Sequence, residues 1–294
     1  MTRGILRVLS LNCRGCEEIQ FHTGRGMISK SIKIWDKVFV IDGDGKYLAE
    51  MNDEFDRENV AVFARLCDTD SRVLDVGANI GMTAIAFSRI CLAGQVAAIE
   101  PLPHVYEYLR RNISASGAAN AKTFNFALGS CEASAVIQGH PSDYAASFIA
   151  DKYQIPTTDH SAHNIRIRRL DETFSELSLD RLDLMKVDVE GFELEVFAGA
   201  EKTVATYEPI VFFEMNHWCL NIYRQMSIPD FRKRVMKLFP YVYAINGLEC
   251  LDFRDERNVH RINYNHVHYF KFMNLIAGFD RDELVRRLAP FLRA

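Results

Sequence analysis

Nowhere in this chain does an apolar run approach the roughly 20 residues that span a bilayer. Its opening stretch, MTRGILRVLSLNCRGCEE, lacks a long hydrophobic segment and a small-residue cleavage site. Neither a membrane span nor a secretory leader is expected, and a cytoplasmic location is. An excess of either charge is also missing. The 35 basic and 39 acidic residues leave a formal net charge of −4, without the basic footprint of a nucleic-acid partner. The short basic runs RIRR (166–169) and RKR (232–234) read as solvated faces. Cysteines are few and unpatterned: seven are scattered, and the close pair Cys13 and Cys16 has no second CxxC to complete a zinc site. No metal ligand is assigned from them, and the odd count suits free thiols in a reducing compartment.

What is present is an ordinary globular composition. Hydrophobic residues make up 48% and charged residues 25% of the 294 positions, enough for a core without disulfides or metals. Residues 1–52 form a β-rich extension: SIKIWDKVFVI (31–41) alternates as a half-buried strand does, DGDGK (42–46) reads as a turn, and YLAEM resumes strand character. DEFDRENVAVFARLC (53–67) is amphipathic with an acidic first turn. Strands and helices then alternate. RVLDVG, QVAAIEP, AKTFNFALG (121–129), RLDLMKVDVEG (181–191), PIVFFEMN, YVYAIN and HVHYFKF (266–272) read as strands. The segments at 79–91, 103–117, 192–207 and 228–239 read as helices. This implies βαβ units and a mostly parallel sheet covered on both faces. The main domain is expected over 53–275, with a helical tail over 276–294. The polar stretch 139–164 interrupts the rhythm and is the candidate acceptor lid, with Tyr144, His160 and His163 as contacts.

In such sheets ligands bind beyond the carboxyl ends of the strands, which draws attention to VLDVGANIG (73–81). Asp75, Gly77, Ala78, Asn79 and Gly81 crowd one corner at a helix start, where open main-chain donors would favour a carboxylate or phosphate. A dinucleotide site wants G-x-G-x-x-G; aligned on Gly77, the other two positions hold Asn79 and Met82. S-adenosylmethionine (SAM) sites accept the looser pattern. Glu100, ending the next strand, is placed to accept ribose hydroxyls. Asn125 and Phe126 are placed to meet an adenine, or else simply end a strand and fill the core.

VLDVGANIG, AIEP (98–101), FALGS (126–130), LDETF (170–174), LDLMKVDVEGFELEVFAGA (182–200) and IVFFEMN (210–216), in this order, resemble the FkbM family of SAM-dependent methyltransferases. The resemblance covers about residues 55–245. It implies a class I (Rossmann-like) methyltransferase fold, with a seven-stranded, mostly parallel sheet whose last strand is antiparallel. It also implies O-methylation of a sugar, glycan or small natural product. N-methylation, or a non-catalytic SAM-binding scaffold, would use the same fold. Asp75, Gly77, Asn79, Gly81 and Glu100 match the family's cofactor motifs; Asp188, Glu190 and Glu214 match its acids.

Period-two alternation puts Lys186, Asp188 and Glu190 on one strand face, with Met185, Val187 and Val189 on the other. Three readings stand for these acids. They remove the acceptor's proton or hold the SAM amino group; or, with Glu214 and Asn216, they bind a divalent cation; or Lys186 pairs with Asp188, Glu190 caps a helix, and nothing is catalytic. His217 is a candidate base, or packs beside Trp218. His266 and His268, two apart on a strand, would share a face. The acceptor is expected to be a small molecule or glycan, and the extra N-terminal strands could pair between subunits to form a homo-oligomer.

Overall fold

The computed structural model describes residues 26–140, 143–149, 161–247 and 249–292. The chain opens with strands β1 (Met27–Ile34) and β2 (Lys37–Asp44), followed by helices α1 (Gly45–Glu50) and α2 (Arg57–Leu66). Next come β3 (Arg72–Val76), α3 (Met82–Ile90), β4 (Gln95–Ile99), α4 (Pro103–Ser116) and β5 (Ala121–Phe124). Strands β6 (Ala127–Leu128), β7 (Ala133–His140), β8 (Asp143–Ile149) and β9 (Ser161–Arg168) precede the short α5 (Leu170–Thr173). Then follow β10 (Leu184–Val187), α6 (Glu193–Ala198), α7 (Glu201–Tyr207), β11 (Ile210–Glu214), α8 (His217–Arg224) and α9 (Ile228–Leu238). The chain closes with β12 (Tyr241–Asn246), β13 (Glu249–Asp252), α10 (Glu256–Tyr269), β14 (Asn274–Gly278) and α11 (Arg281–Leu288).

The main sheet has eight strands in the order β13-β12-β14-β11-β10-β3-β4-β5. Strands β5, β4, β3, β10 and β11 pair in parallel, and β14 lies antiparallel between β11 and β12. This is the class I methyltransferase arrangement with one strand, β13, added as a hairpin partner of β12. The central strands are buried on both faces, so they read as nearly unbroken apolar runs: Val73, Leu74, Met185, Val187, Val211 and Phe213 are all fully buried. Chain order reverses at β3, which lies between β4 and β10, and a crevice opens there beyond the strand ends.

Several sequence expectations are corrected. The hairpin turns at Trp35 and Asp36, with Trp35 at φ 57°, and not at DGDGK; Gly43 and Asp44 end β2, and YLAE belongs to helix α1. AKTFNFALG breaks after Phe124, and Ala127–Leu128 joins a second sheet, β6-β9-β7-β8. That sheet takes up the described part of 139–164; residues 150–160, with His160, lie outside the described residues. The 192–207 segment is two helices parted at Gly199, where a Cβ would sit 1.9 Å from the carbonyl oxygen of Gly129. HVHY ends α10 and FKF lies beyond it, so HVHYFKF is not a strand; the last strand is β14. His266 is therefore buried while His268 points away from it, because two residues advance a helix by about 200°. Arg168 of RIRR is not a simply solvated residue: it stacks over Phe126 at 5.2 Å and pairs with Glu132 and Glu176.

Two charges interrupt the apolar centre. Parallel register sets Asp75 of β3 beside Lys186 of β10, both buried, with Nζ 3.3 Å from Oδ1. Burial alone would pull the Lys186 pKa down, but Asp75 and Asp188 outweigh it and hold the amine charged. Lys186→Met should cost about 3–5 kcal/mol, because it strands a buried carboxylate. Combining it with Asp75→Asn should recover part of that loss. Urea denaturation of wild type and the two variants checks this; a Lys186→Met midpoint equal to wild type would contradict it.

Candidate active site

The crevice is a cavity of about 210 Å³ at the carboxyl ends of β3, β4 and β10. The turn after β3 forms one wall. Gly77 adopts φ 78° and Gly81 φ 99°. A Cβ on Gly77 would meet the Asp188 carbonyl oxygen at 1.9 Å, and one on Gly81 would meet Leu109 at 2.8 Å. Both glycines are thus explained by backbone conformation and close packing within the protein.

The expectation of open main-chain donors in this corner is corrected. Gly77 N and Ala78 N donate to the Ile99 carbonyl at 3.0 and 2.9 Å, and Gly81 N donates to the Ala78 carbonyl at 2.9 Å. Asn79 N donates to Glu100 Oε2 at 3.0 Å, and Ile80 N to Asn79 Oδ1 at 2.7 Å. What faces the cavity is the first turn of α3, which starts at Gly81 with no side-chain cap and whose Met82 and Thr83 line the space. Asn79 also donates from Nδ2 to the Tyr47 hydroxyl at 3.1 Å.

Asp75 lies beneath the cavity. It accepts from Thr83 Oγ1 at 2.7 Å and pairs with Lys186. Lys186 Nζ also donates to the Gly77 carbonyl at 2.9 Å and lies 3.4 Å from Asp188 Oδ2. One ammonium therefore ties β3, the glycine corner and the end of β10 together.

Glu100 lines the cavity with its carboxylate nearly buried, accepting from Asn79 N and, at 2.9 Å, Leu102 N. Burial, only partly offset by these two donors, pushes its pKa up to about 7. Phe126 is buried against the same space. Asn125 does not line the cavity: its Nδ2 donates to the carbonyls of Glu100 and Pro101 at 2.8 and 3.0 Å, latching the end of β4.

Beyond Val187 the strand alternation ends, so the single acidic face foreseen over 186–190 becomes a turn. Glu190 takes φ 54° and accepts from Cys219 Sγ at 2.9 Å. Glu193 Oε1, buried, holds this turn by accepting from Val189 N and Gly191 N. Burial raises the Glu193 pKa to about 7. Asp188 and Glu190 reach the cavity, and one oxygen each of Asp188, Glu190 and Glu214 lie within 4.8 Å of one another. Burial, then the charges of Asp188, Glu190 and Glu193, push the Glu214 pKa well above the carboxylate range. Asn216 caps α8, its Oδ1 accepting from Trp218 N and Cys219 N, and its side chain also hydrogen-bonds Glu214.

His217 stands apart from the cavity lining. Its ring packs 4.9 Å from both His266 and Phe270, not beside Trp218, and its backbone N donates to His266 Nε2 at 3.2 Å. Burial lowers its pKa and takes that of His266 down to about 4. His163 packs against His104, ring centroids 5.0 Å apart and tilted by 40°.

The remaining walls were not foreseen. Tyr47 and Phe55 come from the N-terminal region, Ile137 and Ile149 from the second sheet, and Phe192 from the turn before α6. Each looks like an ordinary core residue in sequence, and nothing local marks its target. Asn112 left a weak signal, a polar residue on the apolar face of α4. It is buried and bonds Asp42 and Ile80, pinning the hairpin to the glycine corner.

The model of the methyltransferase FkbM domain matches residues 75–239, more than half of the chain. Methyltransferase 1 of Beauveria bassiana is 28% identical over 147 residues, covering 45% of this chain and 59% of that protein. The 2-O-methyltransferase NoeI of Sinorhizobium fredii is 29% identical over 149 residues, covering 46% and 59%. The AMB antimetabolite synthetase AmbE of Pseudomonas aeruginosa is 28% identical over 163 residues, covering 45% of this chain and 8% of the synthetase. This chain thus spans under two thirds of each relative's length. The crystal structure of an FkbM methyltransferase from Methylobacillus flagellatus aligns with 60% of this chain and 40% of that one, at 18% identity and a TM-score of 0.40. With the family model lying over the glycine corner, Glu100 and the acidic turn, the chain belongs to the FkbM methyltransferase family.

Proposed function

We propose that the cavity binds SAM and that the protein transfers its methyl group to a hydroxyl of a sugar, glycan or small natural product. The observation that carries the cofactor reading is the charge of the lining. Glu100, Asp188 and Glu190 face the space, and among the described lining residues Lys186 is the one basic side chain, already held by Asp75, Asp188 and Gly77. Such a lining suits a nucleoside carrying an ammonium and a sulfonium, and repels a pyrophosphate. In this reading Glu100 accepts the ribose hydroxyls, Phe126 and Leu102 flank the adenine, and the first turn of α3 takes the carboxylate. SAM supplies an electrophilic methyl on sulfur. Asp188 and Glu190, at the mouth of the cavity, act on the acceptor side, where a hydroxyl must be oriented and lose its proton. Hydroxyl over amine acceptors is supported by family membership and by the 2-O-methyltransferase named among the relatives.

Calorimetry should detect S-adenosylhomocysteine but not NAD; the reverse would end the cofactor reading. Binding should also depend on pH. Glu100 titrates at about 7 in the free protein, and hydroxyl donors favour its ionised form. Affinity should therefore rise with pH through about 7 and level off above it. Glu100→Gln should bind about ten- to a hundred-fold more weakly and lose the pH dependence. The charged neighbours facing Glu100 are Asp75 and Lys186, whose ammonium is held charged by Asp75 and Asp188. With radiolabelled SAM and a panel of glycosides and amines, label should enter glycosides. Asp188→Asn and Glu190→Gln should each abolish transfer while still binding S-adenosylhomocysteine; full activity in both would remove the acids from the chemistry.

A further inference from the structure

The acids at the ends of β10 and β11 crowd together at the cavity. Asp188, Glu190 and Glu214 bring three carboxylates within 4.8 Å, and Glu193 stands as a fourth acid near Glu214. Lys186 is shared between Asp75 and Asp188. Cys219 gives Glu190 one weak thiol donor. A second, independent observation points to a missing ligand: Glu214 Oε2 is buried with no hydrogen-bond partner among the described residues. A buried acceptor without a donor is costly, and native proteins keep such groups where something binds.

We propose that Asp188, Glu190 and Glu214 hold a divalent cation of the hard, oxygen-preferring kind, such as Mg2+, Mn2+ or Ca2+. Carboxylate oxygens, with no imidazole among the described residues of the cluster and a thiol already spent on Glu190, select these ions over zinc or copper. Oxygens up to 4.8 Å apart fit around one ion at 2.0–2.6 Å, since opposite ligands then stand about 4–5 Å from each other. The turn at Glu190, held at φ 54° by Glu193, directs the ligands from β10 toward Glu214 on the neighbouring strand. Asp188 and Glu190 also line the cavity, so the ion would stand at its wall. The functional consequence rests on the methyl-transfer reading above. An acceptor hydroxyl bound to this cation would be oriented and made more acidic, its proton passing to water.

Binding can be tested without an acceptor. Mn2+ should titrate into a single site on the full chain, read by electron paramagnetic resonance and calorimetry, with Mg2+ competing. Glu214→Gln should weaken Mn2+ by about ten-fold or more while keeping the wild-type circular dichroism spectrum. Glu190→Gln serves the same purpose should the first variant misfold. S-adenosylhomocysteine binding, measured in chelator, should persist, which separates this proposal from the cofactor reading. Absence of Mn2+ binding at millimolar concentration, or equal binding by both variants, would overturn it. So would displacement of Mn2+ by S-adenosylhomocysteine, which would identify the cluster as the site of the cofactor's ammonium.

Discussion

One ammonium group organises the centre of this protein. Lys186 rises from β10 into an otherwise apolar sheet and meets Asp75, Asp188 and the Gly77 carbonyl within 3.4 Å. Buried charge is tolerated only when paired and hydrogen-bonded, and here every partner belongs to a different part of the site wall. Asp75 in turn takes the Thr83 hydroxyl at the start of α3. The interaction thus fixes the glycine corner against the acidic turn. It also neutralises the cation that would otherwise face the cavity.

That neutralisation decides what the cavity can hold. With Lys186 committed, the charged groups left among the described lining residues are Glu100, Asp188 and Glu190, and burial raises the pKa of Glu100 and of the nearby Glu193 and Glu214. Backbone N–H groups soften the cost for Glu100 and Glu193. Glu214 has a buried oxygen without a donor. Acids kept buried at such expense are a mark of function. A positively charged cofactor and a bound cation are two ways of meeting the same electrostatic demand.

The cavity is assembled from parts far apart in the chain. The hairpin and α1 bring Tyr47 to Asn79, while the second sheet brings Ile137 and Ile149 over the crevice. Arg168, stacked on Phe126 and paired with Glu132 and Glu176, fastens that sheet beside the adenine wall of the proposed site. The sheet framework is the family's. The hairpin and α1 precede the residues the family model matches and the second sheet lies within them; both close the space above the main sheet, and in the proposed function they are where acceptor preference resides.

The sequence by itself determined the βαβ rhythm, the parallel centre of the sheet and the location of the crevice, because two-sided burial writes apolar runs and glycine corners locally. It also brought forward Glu100, Asp188, Glu190 and Glu214, since acids at strand ends stand out from apolar surroundings. It misread the segment ending in HVHYFKF, where aromatic and histidine residues in a helix mimic strand alternation, and the true hairpin turn, where Trp35 takes a conformation usually left to glycine. It placed Asp75, Asn125 and His217 in the site, whereas packing turned Asp75 to Lys186, Asn125 to two carbonyls and His217 to His266. Only the tertiary structure decided which donors in the corner were already spent and which distant residues close the cavity. Hydrogen-bond partners and cavity walls are long-range contacts, and no local pattern encodes them.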